Sequence, residues 1–294
     1  MTVDVAAEVG PENTPDVESD LALGAFLRAR RARLRPEDVG IPSYGPRRVP
    51  GLRREELARL AGVSSVYYAR LEQGQATNAS PDVVDALARA LALDETEHTH
   101  LRLLAYPRRP AADRPMSAEP PAGLVELVRS LERVPALVVA RNTDVLAWNV
   151  AAQRLLAQHL RHDAVAGPSP PNLTRMLFTD PETRGLYREW ERDAEMAVAA
   201  LRYAAARFPA DRAMTALIGE LVVASDDFAQ LWAQQPVTRC VTGIKLLRHP
   251  VAGDLELRFN ALDVPDGDGV RLLTYNAEPG TRSAEALATL APHA

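Results

Sequence analysis

Cysteine occurs only once in the 294 residues, at Cys240. A single thiol excludes a disulfide framework and is typical of a protein that works in a reducing cytoplasm. No apolar run approaches the roughly 18 residues that a membrane-spanning helix needs. The first residues are acidic and lack the basic start and apolar core of a signal peptide. Together these absences predict a cytoplasmic chain with no membrane partner.

Motifs of the common enzyme classes are also missing. The sequence has no Gly-x-Ser-x-Gly, no His-Glu-x-x-His, no phosphate-binding glycine loop and no glycine-rich dinucleotide turn. His98 and His100 form a His-x-His pair with no third ligand in view, so we interpret them as residues on the polar face of a helix rather than as metal ligands. We therefore expect no enzyme activity, no metal site and no required cofactor.

Positive charge is scarce overall but concentrated in one segment. The net charge is −5, yet residues 20–74 hold eleven arginines against six acidic residues. Residues 1–19 carry five acidic residues and no basic one, and their lack of periodicity predicts a disordered tail. Because phosphate groups respond to local potential, residues 20–74 can bind DNA although the whole chain is acidic.

Two short helical patterns meet at Gly62 within residues 53–74. Gly62 permits the positive φ that a sharp corner between helices needs, and Ser64 stands where the second helix needs an N-cap oxygen. This layout is typical of a helix-turn-helix, which places its second helix in the major groove of DNA. An ordinary corner between two helices is the alternative. The patterns predict a buried set made of Leu57, Ala58, Leu60 or Ala61, Tyr68 and Leu71.

Further helical patterns flank this pair and disfavour the ordinary corner. A basic amphipathic pattern covers residues 20–35, residues 80–92 begin with an N-cap serine and a proline, and residues 94–105 begin with a capping box. Five short helices predict an all-α helix-turn-helix domain over residues 20–105. Five prolines in residues 106–122 predict a semi-rigid linker.

Residues 39–75, together with SPDVVDALARALAL at residues 80–93, resemble the MmyB-like regulators. Those proteins carry a helix-turn-helix of the xenobiotic-response-element type, with a lambda-repressor-like fold, and a C-terminal ligand-binding domain similar to a PAS fold. The long proline-rich connection over residues 35–52 is part of the resemblance. The resemblance also implies that Arg31 pairs with Glu72 and so holds the angle of the recognition helix.

The N-cap at Ser64 places the next three residues in the first turn of the recognition helix, which faces base edges in this motif. Arg70 lies one turn further on and can hold a guanine through two hydrogen bonds. The predicted base contacts are Ser65, Val66 and Arg70. The predicted phosphate contacts are Arg47, Arg48, Arg53, Arg54, Ser64 and Tyr67. For each arginine the alternative is an ordinary solvated surface charge.

One recognition helix covers too few base pairs for a specific site. We therefore expect a homodimer that binds a palindromic operator in double-stranded DNA.

The remainder, residues 123–294, predicts an α+β domain. A strand, a turn, a second strand, an asparagine and a helix follow one another over residues 136–158, an order that resembles the opening of PAS domains. We predict strands at 136–140, 145–148, 238–248, 254–261 and 270–276. We predict helices at 123–134, 150–158, 182–208, 211–224 and 226–234. These elements favour a PAS-like fold in which covering helices close one side of an antiparallel sheet.

Such a fold leaves room for a cavity between sheet and helices, and the resemblance implies a long apolar cavity that binds a fatty acid. We predict that Ile244, Leu246, Leu257 and Phe259 face it from the sheet. The predicted ligand contacts are Trp148, Asn149, Met176, Trp190, Met196, Arg202, Tyr203, Trp232 and His249. For the apolar members of this set, ordinary core packing is the alternative.

Two functional hypotheses follow from these patterns. The first is a sequence-specific transcriptional regulator whose C-terminal domain senses a small apolar ligand, with a fatty acid as the expected one. The second is a helix-turn-helix regulator whose C-terminal domain binds another protein or mediates dimerisation and holds no small molecule.

Overall fold

The computed structural model describes residues 17–41, 51–76, 79–106, 120–265 and 268–291. These residues form two compact units. The first holds the described residues up to Asp94 and residues 101–106, and the second holds Glu95–His100 and residues 120–291. Most of the predicted acidic tail and of the proline-rich linker lies outside the described residues. No described helix is long and apolar enough to cross a membrane.

Five helices occupy residues 17–106, as predicted. The first helix ends two residues earlier than the pattern indicated, and a short 3-10 turn follows at Pro36–Val39. The fourth helix ends at Ala90, because Ala92 adopts a positive φ of 50° that stops the helix. The bounds are α1 (Val17–Arg33), α2 (Arg54–Ala61), α3 (Ser65–Glu72), α4 (Pro81–Ala90) and α5 (Glu95–Ala105).

The corner between α2 and α3 has the predicted geometry. Gly62 adopts a φ of 69°, and the N–H of Val63 donates to the carbonyl of Ala58 at 3.0 Å. Ser64 caps α3, since its hydroxyl oxygen accepts a hydrogen bond from the N–H of Tyr67 at 3.1 Å. Of the two alternatives for the buried face, Ala61 is buried and Leu60 is 41% exposed. The other predicted core residues of this pair, Leu57, Ala58, Tyr68 and Leu71, are all buried.

Helix α1 packs closely on the end of α3 because a glycine stands at their crossing. A Cβ atom placed on Gly24 would lie 2.4 Å from the carbonyl oxygen of Glu72, which is too short for any real contact. Hydrogen bonds support the same crossing: Arg28 donates to that carbonyl oxygen at 3.1 Å. Glycine at position 24 therefore fixes how near the recognition helix lies to α1.

The second unit contains a five-stranded antiparallel sheet with the strand order β2–β1–β5–β4–β3. All five predicted strands are present, although β3 begins four residues later than the pattern indicated. The bounds are β1 (Ala136–Val139), β2 (Val145–Trp148), β3 (Thr242–His249), β4 (Gly253–Asp263) and β5 (Arg271–Asn276).

Eight helices accompany the sheet within the described residues, together with a 3-10 turn at His162–Ala166. Two of them, α8 and α13, were not predicted, because each is only seven residues long and gives little periodicity. The bounds are α6 (Ala122–Ser130), α7 (Val150–Ala157), α8 (Leu173–Thr179), α9 (Pro181–Leu186), α10 (Trp190–Arg207), α11 (Arg212–Ala224), α12 (Asp226–Ala233) and α13 (Arg282–Ala288).

The single long helix predicted over residues 182–208 is wrong, since the segment is broken into α9 and α10. Tyr187 is extended at the break and forms an isolated β-bridge with Leu247 of β3. The N–H of Arg188 donates to the carbonyl of Leu246 at 2.9 Å. Pairing with the edge of β3 therefore replaces helical hydrogen bonds that the local sequence alone would favour.

The β3 residues predicted to face inwards are wrong, because the alternation of inward and outward side chains is shifted by one residue. Pairing places Gly243, Lys245 and Leu247 opposite Phe259, Leu257 and Leu255, which are buried on the inner face of β4. Ile244 is therefore on the outer face and is exposed, and Leu246 shares that face. Since side chains alternate along a strand, a shift of one residue exchanges the two faces completely. The result is that a lysine, and not an isoleucine, faces the helices.

Helices cover both faces of the sheet and not one side only. Helix α6 packs Val128 against Ala136, Val138 and Leu272 on the outer face, while α7, α8 and their neighbours cover the inner face.

The burial of the pair His98 and His100 also differs from the prediction. His100 is buried and His98 is partly exposed. The expectation that both lie on a polar face is therefore wrong for His100.

Candidate DNA-binding helix and ligand cavity

Helix α3 presents its first turn to the surface. Ser65 and Arg70 are exposed, and the Val66 side chain is 69% exposed although it is apolar. Tyr67 is partly exposed, whereas Tyr68 points into the core. Arg70 makes no ion pair with any described residue. The three predicted base contacts are thus all accessible from outside the first unit's core.

The opposite end of α3 is held by a buried carboxylate. Glu72 accepts hydrogen bonds from the Nε of Arg31 at 2.6 Å and from the Nε of Arg54 at 2.7 Å, and its side chain is fully buried. Arg31 also donates to the carbonyl of Leu52 at 2.7 Å. The pair of Arg31 and Glu72 that the resemblance implied is confirmed. Arg54 is a second partner, which the sequence did not indicate.

These contacts decide the charge state of the carboxylate. Burial favours the neutral acid, but hydrogen bonds from Arg31 and Arg54 outweigh it and lower the pKa of Glu72. Burial, together with the Glu72 charge, raises the pKa of Tyr68. A charged Glu72 therefore links α1, α2 and α3 through one ion-pair cluster.

The predicted phosphate contacts have different surroundings. Arg53 is exposed and caps α2 through its backbone N–H, which donates to Glu56 at 2.6 Å. Arg54 keeps 42% of its side chain exposed although its Nε is bound to Glu72. Ser64 is exposed and uses its oxygen as an acceptor, which leaves its hydroxyl proton for another partner. Arg47 and Arg48 lie outside the described residues.

The second unit contains a cavity of about 250 Å³ between α10 and the ends of β4 and β5. Residues of α10 form one part of the wall, and the segment before β3 and the sheet contribute other parts. The side chains around it combine apolar and cationic groups. The lining includes Ala200, Tyr203, Ala204, Phe208, Cys240, Val241, Ala261, Leu262 and the four arginines Arg141, Arg207, Arg239 and Arg271.

Two of these arginines are neutralised by carboxylates. Arg141 forms an ion pair with the buried Asp211 and lies over the Phe208 ring at 4.7 Å. Arg239 pairs with Asp263 at 3.0 Å. Arg207 and Arg271 have no carboxylate partner among the described residues. The cavity therefore keeps an excess of positive charge.

A buried polar cluster adjoins the cavity at Cys240. The thiol of Cys240 contacts the sulfur of Met196 at 3.5 Å, and Lys245 lies 3.9 Å from the same sulfur while forming an ion pair with Asp193. Burial raises the pKa values of the Cys240 thiol and the Tyr275 hydroxyl. Sequence patterns missed Lys245, because an alternation of one residue decides whether it faces inwards.

Of the nine predicted ligand contacts, only Tyr203 lines this cavity. Met196 touches Cys240 behind the lining. Trp148, Met176 and Trp190 are buried in the hydrophobic core. The Trp232 ring stacks between Phe228 and Arg202, and Arg202 donates to the Trp232 carbonyl. The alternative interpretation as core residues therefore describes most of the apolar members of the set.

Asn149 and His249 form hydrogen bonds with backbone groups and do not line the mouth of the cavity. Asn149 caps α7 by accepting from the N–H of Ala152 at 2.8 Å, and its amide donates to the carbonyls of Leu131 and Val134. The Nδ1 of His249 accepts from two backbone N–H groups of the following turn, while Nε2 contacts the carbonyl of Arg154 at 2.8 Å. Both polar groups are thus already used within the fold.

In the part of the chain that the structure describes, no three His, Cys, Asp or Glu side chains form a group suited to a metal ion.

Comparison with known families assigns both parts of the chain. Residues 22–101 match the model of a helix-turn-helix domain. Residues 120–290 match the model of the MmyB-like transcription regulator ligand binding domain. No curated protein matches the chain. The second match covers more than half of the sequence, so the chain belongs to the MmyB-like transcription regulators, in which a helix-turn-helix domain accompanies a ligand-binding domain.

Proposed function

We propose that this protein is a sequence-specific transcriptional regulator whose second unit senses a fatty acid. One observation carries the proposal: the same chain has an accessible recognition helix and a cavity in which arginines stand beside apolar side chains. A long-chain acid has the matching chemistry, because it joins one negative charge to a hydrocarbon.

The DNA-binding part of the proposal assigns base contacts to Ser65, Val66 and Arg70. Arg70 is exposed and makes no ion pair with any described residue, so its guanidinium is available to take a guanine through two hydrogen bonds. Val66 supplies an apolar surface for a thymine methyl group. Its exposure leaves this apolar surface accessible to DNA.

Phosphate contacts are assigned to the start of α2 and to the cap of α3. Arg53, Arg54, Ser64 and Tyr67 flank the proposed base contacts, and Arg47 and Arg48, which lie outside the described residues, are further proposed phosphate contacts. Arginines and helix N-termini are common phosphate ligands in such complexes. A homodimer on a palindromic operator remains our proposal for the assembly, because one α3 helix reads only a half-site.

The alternative is a second unit that binds a protein and no small molecule. The cavity favours the ligand-binding function, because its excess of positive charge beside apolar side chains matches a small amphipathic anion.

Native mass spectrometry of the full-length protein as purified tests the proposal. We expect a mass increment that gas-phase activation releases as a fatty acid. The same sample, after removal of lipid, should rebind a saturated fatty acid and melt at a higher temperature. A protein that purifies without a bound acid and shows no thermal shift with added fatty acids would contradict the proposed ligand.

A further inference from the structure

Arg271 is a partly buried cation in the wall of the cavity. It opens β5, where its cross-strand neighbours are Val139 of β1 and Asp263 of β4. Its guanidinium lines the cavity and makes no hydrogen bond or ion pair with any described residue. Asp263 is engaged by Arg239 at 3.0 Å. Burial lowers the pKa of Arg271, which reflects the cost of holding this charge away from water.

The other arginines of the cavity do not share this situation. Arg141 is neutralised by Asp211 and stacks on Phe208. Arg207 is exposed at the surface end of α10, where water solvates it. Arg271 is therefore the cavity's one partly buried arginine that forms no ion pair with any described residue.

Burial makes the charge of Arg271 costly, and attraction to Asp263, which is itself bound to Arg239, offsets only part of that cost. Such a group is therefore a natural site for an external anion. A guanidinium presents two parallel N–H groups that match the two oxygens of a carboxylate. The same cavity is lined by the small side chains of Ala200 and Ala204 of α10, which leave room for a ligand beside Tyr203 and Arg207.

We propose that Arg271 anchors the carboxylate of the ligand. A monoanion fits the single unpaired buried charge, and a phosphate dianion would need a second unpaired donor at the same depth. Val241, Ala261 and the alanines of α10 receive the hydrocarbon next to the carboxylate. This assignment rests on the proposed function for its cavity, but the same carboxylate chemistry is available from a long-chain fatty acid or from a short organic acid.

Calorimetric titration of the delipidated full-length protein tests the anchor. The probes are dodecanoate, dodecanol and butyrate, which separate the contribution of the charge from that of the chain. The variants are Arg271→Gln, Arg271→Lys and the control Arg258→Gln, which removes an exposed arginine on the outer face of β4. Since Arg271 forms no ion pair with any described residue, the Arg271→Gln protein should melt no lower than the wild type.

We expect wild-type protein to bind dodecanoate more tightly than dodecanol. Arg271→Gln should weaken dodecanoate binding by roughly tenfold to a hundredfold, as for the loss of a buried charged pair, and leave dodecanol unchanged. Arg271→Lys should retain part of the affinity, and Arg258→Gln should retain all of it. Binding of butyrate but not of dodecanoate, dependent on Arg271, would support the anchor while contradicting the fatty acid.

Two results would overturn the anchor. If Arg271→Gln protein binds dodecanoate as tightly as the wild type, Arg271 is not the anchor. The fatty-acid proposal would then stand without it. Wild-type protein that binds neither acid contradicts both the anchor and the proposed ligand.

Discussion

At the scale of single residues, Glu72 illustrates how one side chain can fix the position of the recognition helix α3. Its carboxylate is buried, yet it is stabilised in the charged form by Arg31 of α1 and Arg54 of α2. Its backbone carbonyl also accepts from Arg28. The residue therefore ties the recognition helix to both helices that support it, although it stands too deep to touch DNA.

Replacement of Glu72 by glutamine keeps the shape but removes the charge. We expect a loss of about 1–3 kcal/mol in the stability of the first unit, because two charge-assisted hydrogen bonds become neutral ones. The three tryptophans all lie in the second unit, so fluorescence does not report this change. Hydrogen exchange of the α3 amides in the full-length protein measures it. Glu55→Gln, at an exposed position of α2, is the control and should have no effect.

The same cluster predicts a pH dependence. Because the pKa of Glu72 is lower in the folded than in the unfolded state, its contribution is complete above the unfolded pKa of about 4.3 and is lost as the pH falls through the folded pKa. The difference in α3 protection between wild type and Glu72→Gln should therefore be constant from pH 7 to pH 5. It should shrink as the pH falls below about 4. A difference that does not change down to pH 3 would exclude the charged cluster as its source.

Arg70 and Arg53 differ in what they are expected to contribute to DNA binding. Arg70→Ala should relax the preference at one base pair by roughly 1–3 kcal/mol. Arg53→Ala should weaken binding to all sequences alike and reduce the slope of log K against log salt by about 1. Competition assays with single-base variants of a selected operator, at several salt concentrations, separate the two. A uniform loss from Arg70→Ala would show that this side chain binds phosphate.

At the scale of helices and strands, the close crossing of α1 and α3 depends on Gly24. A methyl group at this position meets the backbone carbonyl of Glu72, which cannot move without shifting the recognition helix. Overpacking of this kind costs about 1–3 kcal/mol. The crossing is thus a place where a very small change alters how α3 is presented to DNA.

Gly24→Ala should accordingly lower operator affinity together with the protection of the α3 amides. Gly219→Ala is the matched control, because this glycine lies inside α11 and an added Cβ has no neighbour within 4 Å. We expect that control to be neutral or to stabilise its helix by up to about 1 kcal/mol. Equal behaviour of the two variants in hydrogen exchange would exclude the close crossing as a constraint.

Elements with local signals were predictable from the sequence, and elements fixed by distant partners were not. The corner at Gly62 and the cap at Ser64 depend on neighbouring residues, so the pattern located both. The break at Tyr187 is caused by β3, some 60 residues further on, and no local signal marks it. The inward face of β3 was wrong because Gly243, Lys245 and Leu247 alternate as regularly as Ile244 and Leu246 do.

At the scale of the whole molecule, the two halves were predictable to different degrees. The predicted DNA contacts follow from a motif whose geometry is short-range, which is why Ser65, Val66 and Arg70 are all exposed as expected. The cavity depends on how α10 lies against the ends of two strands, and only Tyr203 was anticipated there. Arg271 carries no sequence signal, since an arginine in a strand is normally exposed or paired.

A ligand can regulate DNA binding only if the two binding events are coupled. Coupling is reciprocal, so a fatty acid that changes operator affinity must itself bind with changed affinity when the operator is present. The proposed anchor makes this testable at one residue, because Arg271→Gln should abolish the effect of the acid and leave the operator affinity of the ligand-free protein unchanged.

The operator affinity of the delipidated full-length protein, measured with and without a saturating fatty acid, tests the central claim most directly. The operator is taken from a random DNA library by selection with the same protein. We predict that the fatty acid changes the operator Kd by at least about fivefold, the lower end of typical allosteric coupling, and that Arg271→Gln removes the change. An operator Kd that is the same with and without the bound acid would contradict the claim that this protein is a fatty-acid-responsive regulator.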